Sequence, residues 1–87
     1  MIRRRFTFTG YVQGVGFRWR ARQAAALYGC TGWCRNEWDG SVSMEIQGEE
    51  EQIEQVIRAI QRGRYIEIEG MDVQTIPVQD ERGFRTD

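Results

Sequence analysis

The chain has 87 residues, 40% of them hydrophobic, and 12 basic against 13 acidic side chains give a net charge of −1. That length suits one small domain, residues 1–87, and is too short for two; the near-neutral charge gives no general attraction to nucleic acid or anionic lipid. Histidine is absent, which excludes most catalytic triads and the usual zinc hydrolases, and two cysteines are too few for a closed zinc site.

Phe6, Phe8 and Val12 alternate with Thr7, Thr9 and Tyr11, after a run of arginines. This is the pattern of a half-buried strand, interrupted at Gly10 where a side chain does not fit. Met1 to Arg5 has a basic flank but lacks the apolar stretch of a secretion signal. No apolar run approaches the roughly 20 residues that cross a bilayer, so a cytoplasmic protein is expected. Arg3, Arg4 and Arg5 before two phenylalanines superficially suggest an RNA-binding sheet. The phenylalanines share one face, however, and the core needs them there, so no nucleic-acid partner is expected.

After Gln13-Gly14-Val15-Gly16 the sequence becomes alanine-rich, and Phe17, Ala21, Ala24 and Tyr28 fall near one helical face, with Gly29 as a stop. A strand is expected over Thr31 to Asn36, followed by a hairpin turn at Asp39-Gly40. Val42, Met44 and Ile46 then alternate with polar residues on the returning strand. Ile53, Val56, Ile57 and Ile60 form a helical stripe, with Glu49 to Glu51 at its start, Arg58 and Arg62 near its end, and Gly63 closing it. In the remainder, the pairs Ile66/Ile68 and Met71/Val73 are out of phase across Gly70, which calls for a bulge or bend. Pro77 disfavours a central strand, and Phe84 is the last obvious core anchor. Strand, helix, strand, strand, helix, strand gives an α+β fold: a ferredoxin-like βαββαβ sandwich with two helices on one face of a mainly antiparallel sheet. A short extra strand near the C-terminus can be added to it.

Two places could carry chemistry. Gln13, Gly14, Val15, Gly16, Phe17 and Arg18 lie between a strand and a helix. Glycines there allow a tight turn whose N–H groups point inward as an anion nest, with Arg18 adding a planar fork of donors. The same spacing fits a plain connection with a solvent-facing arginine at least as well. Asn36, near the end of the second strand, could hold a water through its amide; taken alone, local turn hydrogen bonding explains it better. Cys30 and Cys34 sit about 13 Å apart if that segment is extended, beyond the reach of a disulfide. Trp33 fits either the core or a ligand-facing surface, and Trp19 and Trp38 are expected to be partly exposed.

Gly10-Tyr11-Val12-Gln13-Gly14-Val15-Gly16-Phe17-Arg18 resembles the first signature of the acylphosphatases. Gly29-Cys30-Thr31-Gly32-Trp33-Cys34-Arg35-Asn36, with Asp39-Gly40-Ser41-Val42 and Gln47-Gly48, resembles the second. The resemblance runs from about Phe6 to Gly63, and more weakly to the end. It implies the fold above and hydrolysis of acyl phosphates to a carboxylate and inorganic phosphate, without metal or other cofactor. It also implies that the Gln13 to Arg18 loop and Arg18 bind phosphate, and that Asn36 positions the attacking water. A monomer acting on small molecules, with no membrane partner, is the matching expectation. A catalytically silent phosphate-binding or regulatory domain of the same fold is the alternative. Gly63-Arg64-Tyr65-Ile66-Glu67-Ile68 departs from the family's pattern, which usually has a proline-containing turn there.

Overall fold

A computed structural model describes all of residues 1–87. The elements are β1 (Ile2–Tyr11), α1 (Phe17–Tyr28), β2 (Thr31–Asn36), β3 (Val42–Gly48), α2 (Glu50–Gln61), β4 (Glu67–Ile76) and β5 (Phe84–Thr86). They build one sheet in the order β4-β1-β3-β2-β5, antiparallel except where β5 runs parallel to β2. The helices pack on each other and cover one face, so the expected ferredoxin-like sandwich is the observed one. Its extra C-terminal strand is β5.

The core follows the sequence periods. Phe6 and Phe8 on β1, Met44 and Ile46 on β3, Ala21 and Ala25 on α1, and Ile53, Val56 and Ile60 on α2 are all buried between sheet and helices. Each fully buried Phe, Ile or Met side chain is worth about 1.5–3 kcal/mol over its exposed state. This placement removes the two phenylalanines from any RNA-facing role. The α1 helix ends at Gly29, whose φ of 71° is the left-handed conformation of a C-terminal cap. At the start of α2 the Gln52 side chain accepts a hydrogen bond from the Glu49 N–H at 2.9 Å.

The phase break near Gly70 is a bulge. Thr9 pairs with Gly70 and Gly10 with Ile68, so Glu69 is the extra residue on β4. Gly10 has a φ of 116°, and a Cβ there would overlap the Glu67 carbonyl, which is why this strand position is glycine. Pro77 follows directly on β4, an edge strand, as its missing N–H requires.

The other sheet face departs from the sequence reading. The arginines do not precede β1; they lie within it. Every residue of β3 is buried, including Ser43, Glu45 and Gln47 on the polar side. The segment after Pro77 crosses this side of the sheet on its way to β5. Gln79 exchanges two hydrogen bonds with the Gln47 side chain, at 2.7 and 2.8 Å, and Glu81 accepts from Arg3 Nη1. Arg3 is 0% exposed and also donates from Nε to Glu45 at 2.9 Å. Burial alone would lower its pKa, but Glu81 and Glu45 outweigh that and raise it. Trp33 lies outside the core between sheet and helices, beside Glu45 on the polar side of the sheet. It is half-buried between the guanidinium groups of Arg5 and Arg35, at 5.5 and 5.1 Å from its ring centroid.

Candidate active site

The loop from Val12 to Phe17 is clamped at both ends and open in the middle. Val12 is buried, and the buried Phe17 ring packs on Phe8 with centroids 4.9 Å apart. Between these anchors Gly14 and Gly16 adopt φ of 72° and 82°, with open space where a Cβ would stand. Left-handed residues alternating with ordinary ones turn successive N–H groups to one side. No backbone hydrogen bond outside the helices and strands is donated by Gly14, Val15 or Gly16. The first helical bond of α1 is from Arg20 N–H to the Gly16 carbonyl, at 2.9 Å. The N–H groups of Phe17, Arg18 and Trp19 are therefore left without helical acceptors at the positive end of the helix dipole.

Gln13 takes part in a way the sequence did not reveal. Its amide donates to the carbonyls of Glu37 and Ser41 at 2.7 and 2.9 Å, tying the loop to the β2–β3 hairpin. That hairpin is closed by its own bonds. Glu37 N–H donates to the Ser41 carbonyl at 2.8 Å, and Asp39 accepts from the Ser41 hydroxyl and N–H at 2.6 and 3.0 Å. The bonds from Ser41 hold the exposed Asp39 carboxyl below its ordinary value. With the turn satisfied in this way, the Asn36 amide is not among the groups that hold it. Asn36 ends β2, opposite Val42.

A cavity of about 180 Å³ lies between these parts, lined by Val12, Gly14, Gly16, Phe17, Arg18, Trp19 and Asn36. The fold thus brings Gly14, Gly16, Phe17, Arg18 and Asn36 together from the β1–α1 loop, α1 and β2. The side chains of Gln13 and Val15 are not part of the lining, and Gln13's is committed to the hairpin. Arg18 Nη1 donates to the Asp87 carbonyl at 3.1 Å, and Asp87 N–H donates to the Cys34 carbonyl at 2.9 Å. Asp87, directly after β5, thus steadies the guanidinium through a single bond, with its other N–H donors uncommitted. Nothing in the sequence pattern pairs Asp87 with Arg18; only the parallel placement of β5 beside β2 does so. Larger depressions beside Glu49, Glu50, Glu51 and Glu54, or over Glu67 and Glu69, are acidic and would repel a phosphate.

Cys30 and Cys34 are free and buried. Burial pushes the Cys30 thiol up to about 11. Burial also pushes Cys34 up to about 12, with Arg18 slightly opposing and Asp87 assisting. Both are protonated, unreactive thiols at neutral pH. Because their folded values lie above the ordinary 9.0, their contribution to stability is intact below about pH 9 and is lost as pH rises toward those folded values. Iodoacetamide is expected to label neither thiol in the native protein at pH 7.5 and both after denaturation, read by intact mass. The urea midpoint is expected to fall between pH 7.5 and pH 10.5, by less in Cys34→Ala than in the parent. Rapid native labelling, or an identical fall in the variant, would contradict this burial.

The family model described as acylphosphatase matches residues 4–86. The chain belongs to the acylphosphatase family. It is 43% identical to an acylphosphatase of Pseudomonas paraeruginosa over 76 residues, which make up 86% of this chain and 84% of that one. It is 44% identical to an acylphosphatase of Salinibacter ruber over 79 residues, 88% of this chain and 83% of the relative. Among solved structures, an acylphosphatase from Bacillus subtilis superposes with a TM-score of 0.92 at 26% identity, over 100% of this chain and 99% of that one. A full-length HypF, in a phosphate- and nucleotide-bound form, matches with a TM-score of 0.89 at 30% identity, over 99% of this chain but only 12% of that protein. No helix is long and apolar enough to cross a membrane.

Proposed function

We propose that the chain hydrolyses the carboxyl–phosphate bond of small-molecule acyl phosphates in the cavity between the Gln13–Arg18 loop and Asn36. The observation that carries this reading is the meeting of a fixed guanidinium, free loop N–H groups and an uncommitted amide around one 180 Å³ space. The phosphoryl oxygens sit against the N–H groups of the loop and of the start of α1, and against Arg18, whose fork matches two of them. Backbone provides the cradle, so Gln13 and Val15 contribute through main chain, and Gln13's side chain holds the loop to the hairpin. Asn36 holds a water on the side of phosphorus away from the acyl oxygen.

In the reaction the water oxygen forms its bond to phosphorus as the phosphorus–acyloxy bond breaks. The carboxylate leaves with the electron pair, and a phosphoryl oxygen takes the water's proton. A carboxylate is stable without protonation, so a chain lacking histidine needs no general acid here. Catalysis is positioning and electrostatic stabilisation of the phosphoryl oxygens. The 87 residues act as a single domain and a monomer in the cytoplasm, with neither nucleic acid nor membrane as partner. Purified protein in EDTA is expected to hydrolyse benzoyl phosphate, followed by ultraviolet absorbance, and to be inhibited by inorganic phosphate. A rate no greater than buffer, with phosphate still bound, would make it a phosphate-binding module like a segment of a larger protein.

A further inference from the structure

The residues assigned above account for the phosphoryl group and the water but leave the acyl group without a partner. One bridging oxygen separates the acyl carbon from phosphorus, so the acyl group lies directly beside the phosphoryl group and meets what remains of the cavity's lining. At the rim stands Trp19, in the first turn of α1, with 60% of its surface exposed. It is the one cavity-lining side chain that is both large and apolar and also exposed; Val12 and Phe17 are buried. The same Trp19 is a wall of a wider depression of about 520 Å³ over α1 and α2, where Leu27, Tyr28 and Ala59 supply apolar surface. Trp19 is the one residue shared by the cavity and this depression, whose lining also includes Arg20, Gln23 and Arg62. An exposed indole gains by covering its face with another flat apolar group.

We propose that Trp19 is the acyl-specificity residue, its ring receiving the apolar face of the acyl group, so that acyl phosphates with an aromatic acyl group are preferred to acetyl phosphate. This rests on the placement of the phosphoryl group argued above. Trp38 is the natural control: it is 98% exposed in the neighbouring hairpin turn but does not line the cavity.

The test is kcat/KM for benzoyl phosphate and for acetyl phosphate, with the inhibition constant of inorganic phosphate, in the parent and in Trp19→Ala, Trp19→Phe and Trp38→Ala. Trp19→Ala is expected to lower the benzoyl-to-acetyl ratio roughly tenfold, chiefly through KM for benzoyl phosphate, with phosphate inhibition retained. Trp19→Phe should keep most of the ratio, and Trp38→Ala all of it. An unchanged ratio in Trp19→Ala, or a loss that follows Trp38 instead, would overturn the proposal. A parent that hydrolyses neither compound would instead remove the underlying function, so the two failures are distinguishable.

Discussion

Arg18→Ala is expected to lower kcat/KM for benzoyl phosphate by about a thousandfold, corresponding to about 4 kcal/mol of lost transition-state stabilisation, and to weaken inhibition by inorganic phosphate as well. The reason for both effects is that Arg18 is the only cation lining the cavity. In the proposed placement it meets the phosphoryl oxygens in the bound substrate and in the transition state alike. Arg18→Lys should recover little of the loss. An ammonium is a point charge without the planar fork, and it cannot keep one N–H on the Asp87 carbonyl while presenting a matched pair to two phosphoryl oxygens. Arg18 is only partly buried and its bond to Asp87 lies at the surface, so the fold should tolerate either change. Thermal melting close to the parent's is the check on that. Near-parental turnover with unchanged phosphate inhibition in Arg18→Ala would place the phosphoryl group elsewhere.

The fold was legible wherever one face of an element is apolar. Phe6 and Phe8 in period two, and Ile53, Val56, Ile57 and Ile60 in helical period, point to the sides that are buried. The out-of-phase pairs around Gly70 announced the bulge at Glu69, because a period of two cannot change phase without an extra residue. What stayed hidden was the polar side of the sheet. Glu45 and Gln47 read only as the polar alternates of a strand and Arg3 as part of a run preceding one, and nothing local says that Gln79 and Glu81 will cross over and cover them. Burial of charge depends on partners 42 and 78 residues away, which periodicity does not encode.

The site divides in the same way. Gly14 and Gly16 could be read as a turn, and their left-handed φ angles are of the kind only glycine adopts readily. Whether that turn faced solvent or a second element depended on the hairpin being drawn toward it. The Gln13 amide, bonded to Glu37 and Ser41, makes that link. Asn36 had two readings on sequence alone. The turn it precedes is held by Asp39 and Ser41, so local capping does not account for it. Trp19 carried no signal beyond its polar neighbours, since lining a cavity is a property of the assembled fold.

The second large effect is expected at Asn36. A group that orients the attacking water acts chiefly in the transition state, so its loss lowers kcat and leaves ground-state binding of the anion nearly intact. Asn36→Ala is expected to turn over about a hundredfold more slowly, equivalent to about 3 kcal/mol. Asn36→Asp should be no better, since a carboxylate has no N–H donor and sets a negative charge beside the phosphoryl oxygens. Position 36 ends β2 and is paired through its backbone to Val42, which either side chain permits.

The division of labour between binding and water positioning is tested most directly by measuring kcat for benzoyl phosphate and the inhibition constant of inorganic phosphate on the same preparation of Asn36→Ala, with its melting temperature. A folded variant with kcat lowered about a hundredfold and a phosphate inhibition constant within about twofold of the parent's is the predicted result. Parental kcat in a folded variant, or phosphate inhibition weakened as much as turnover, would contradict the assignment of Asn36 to the water.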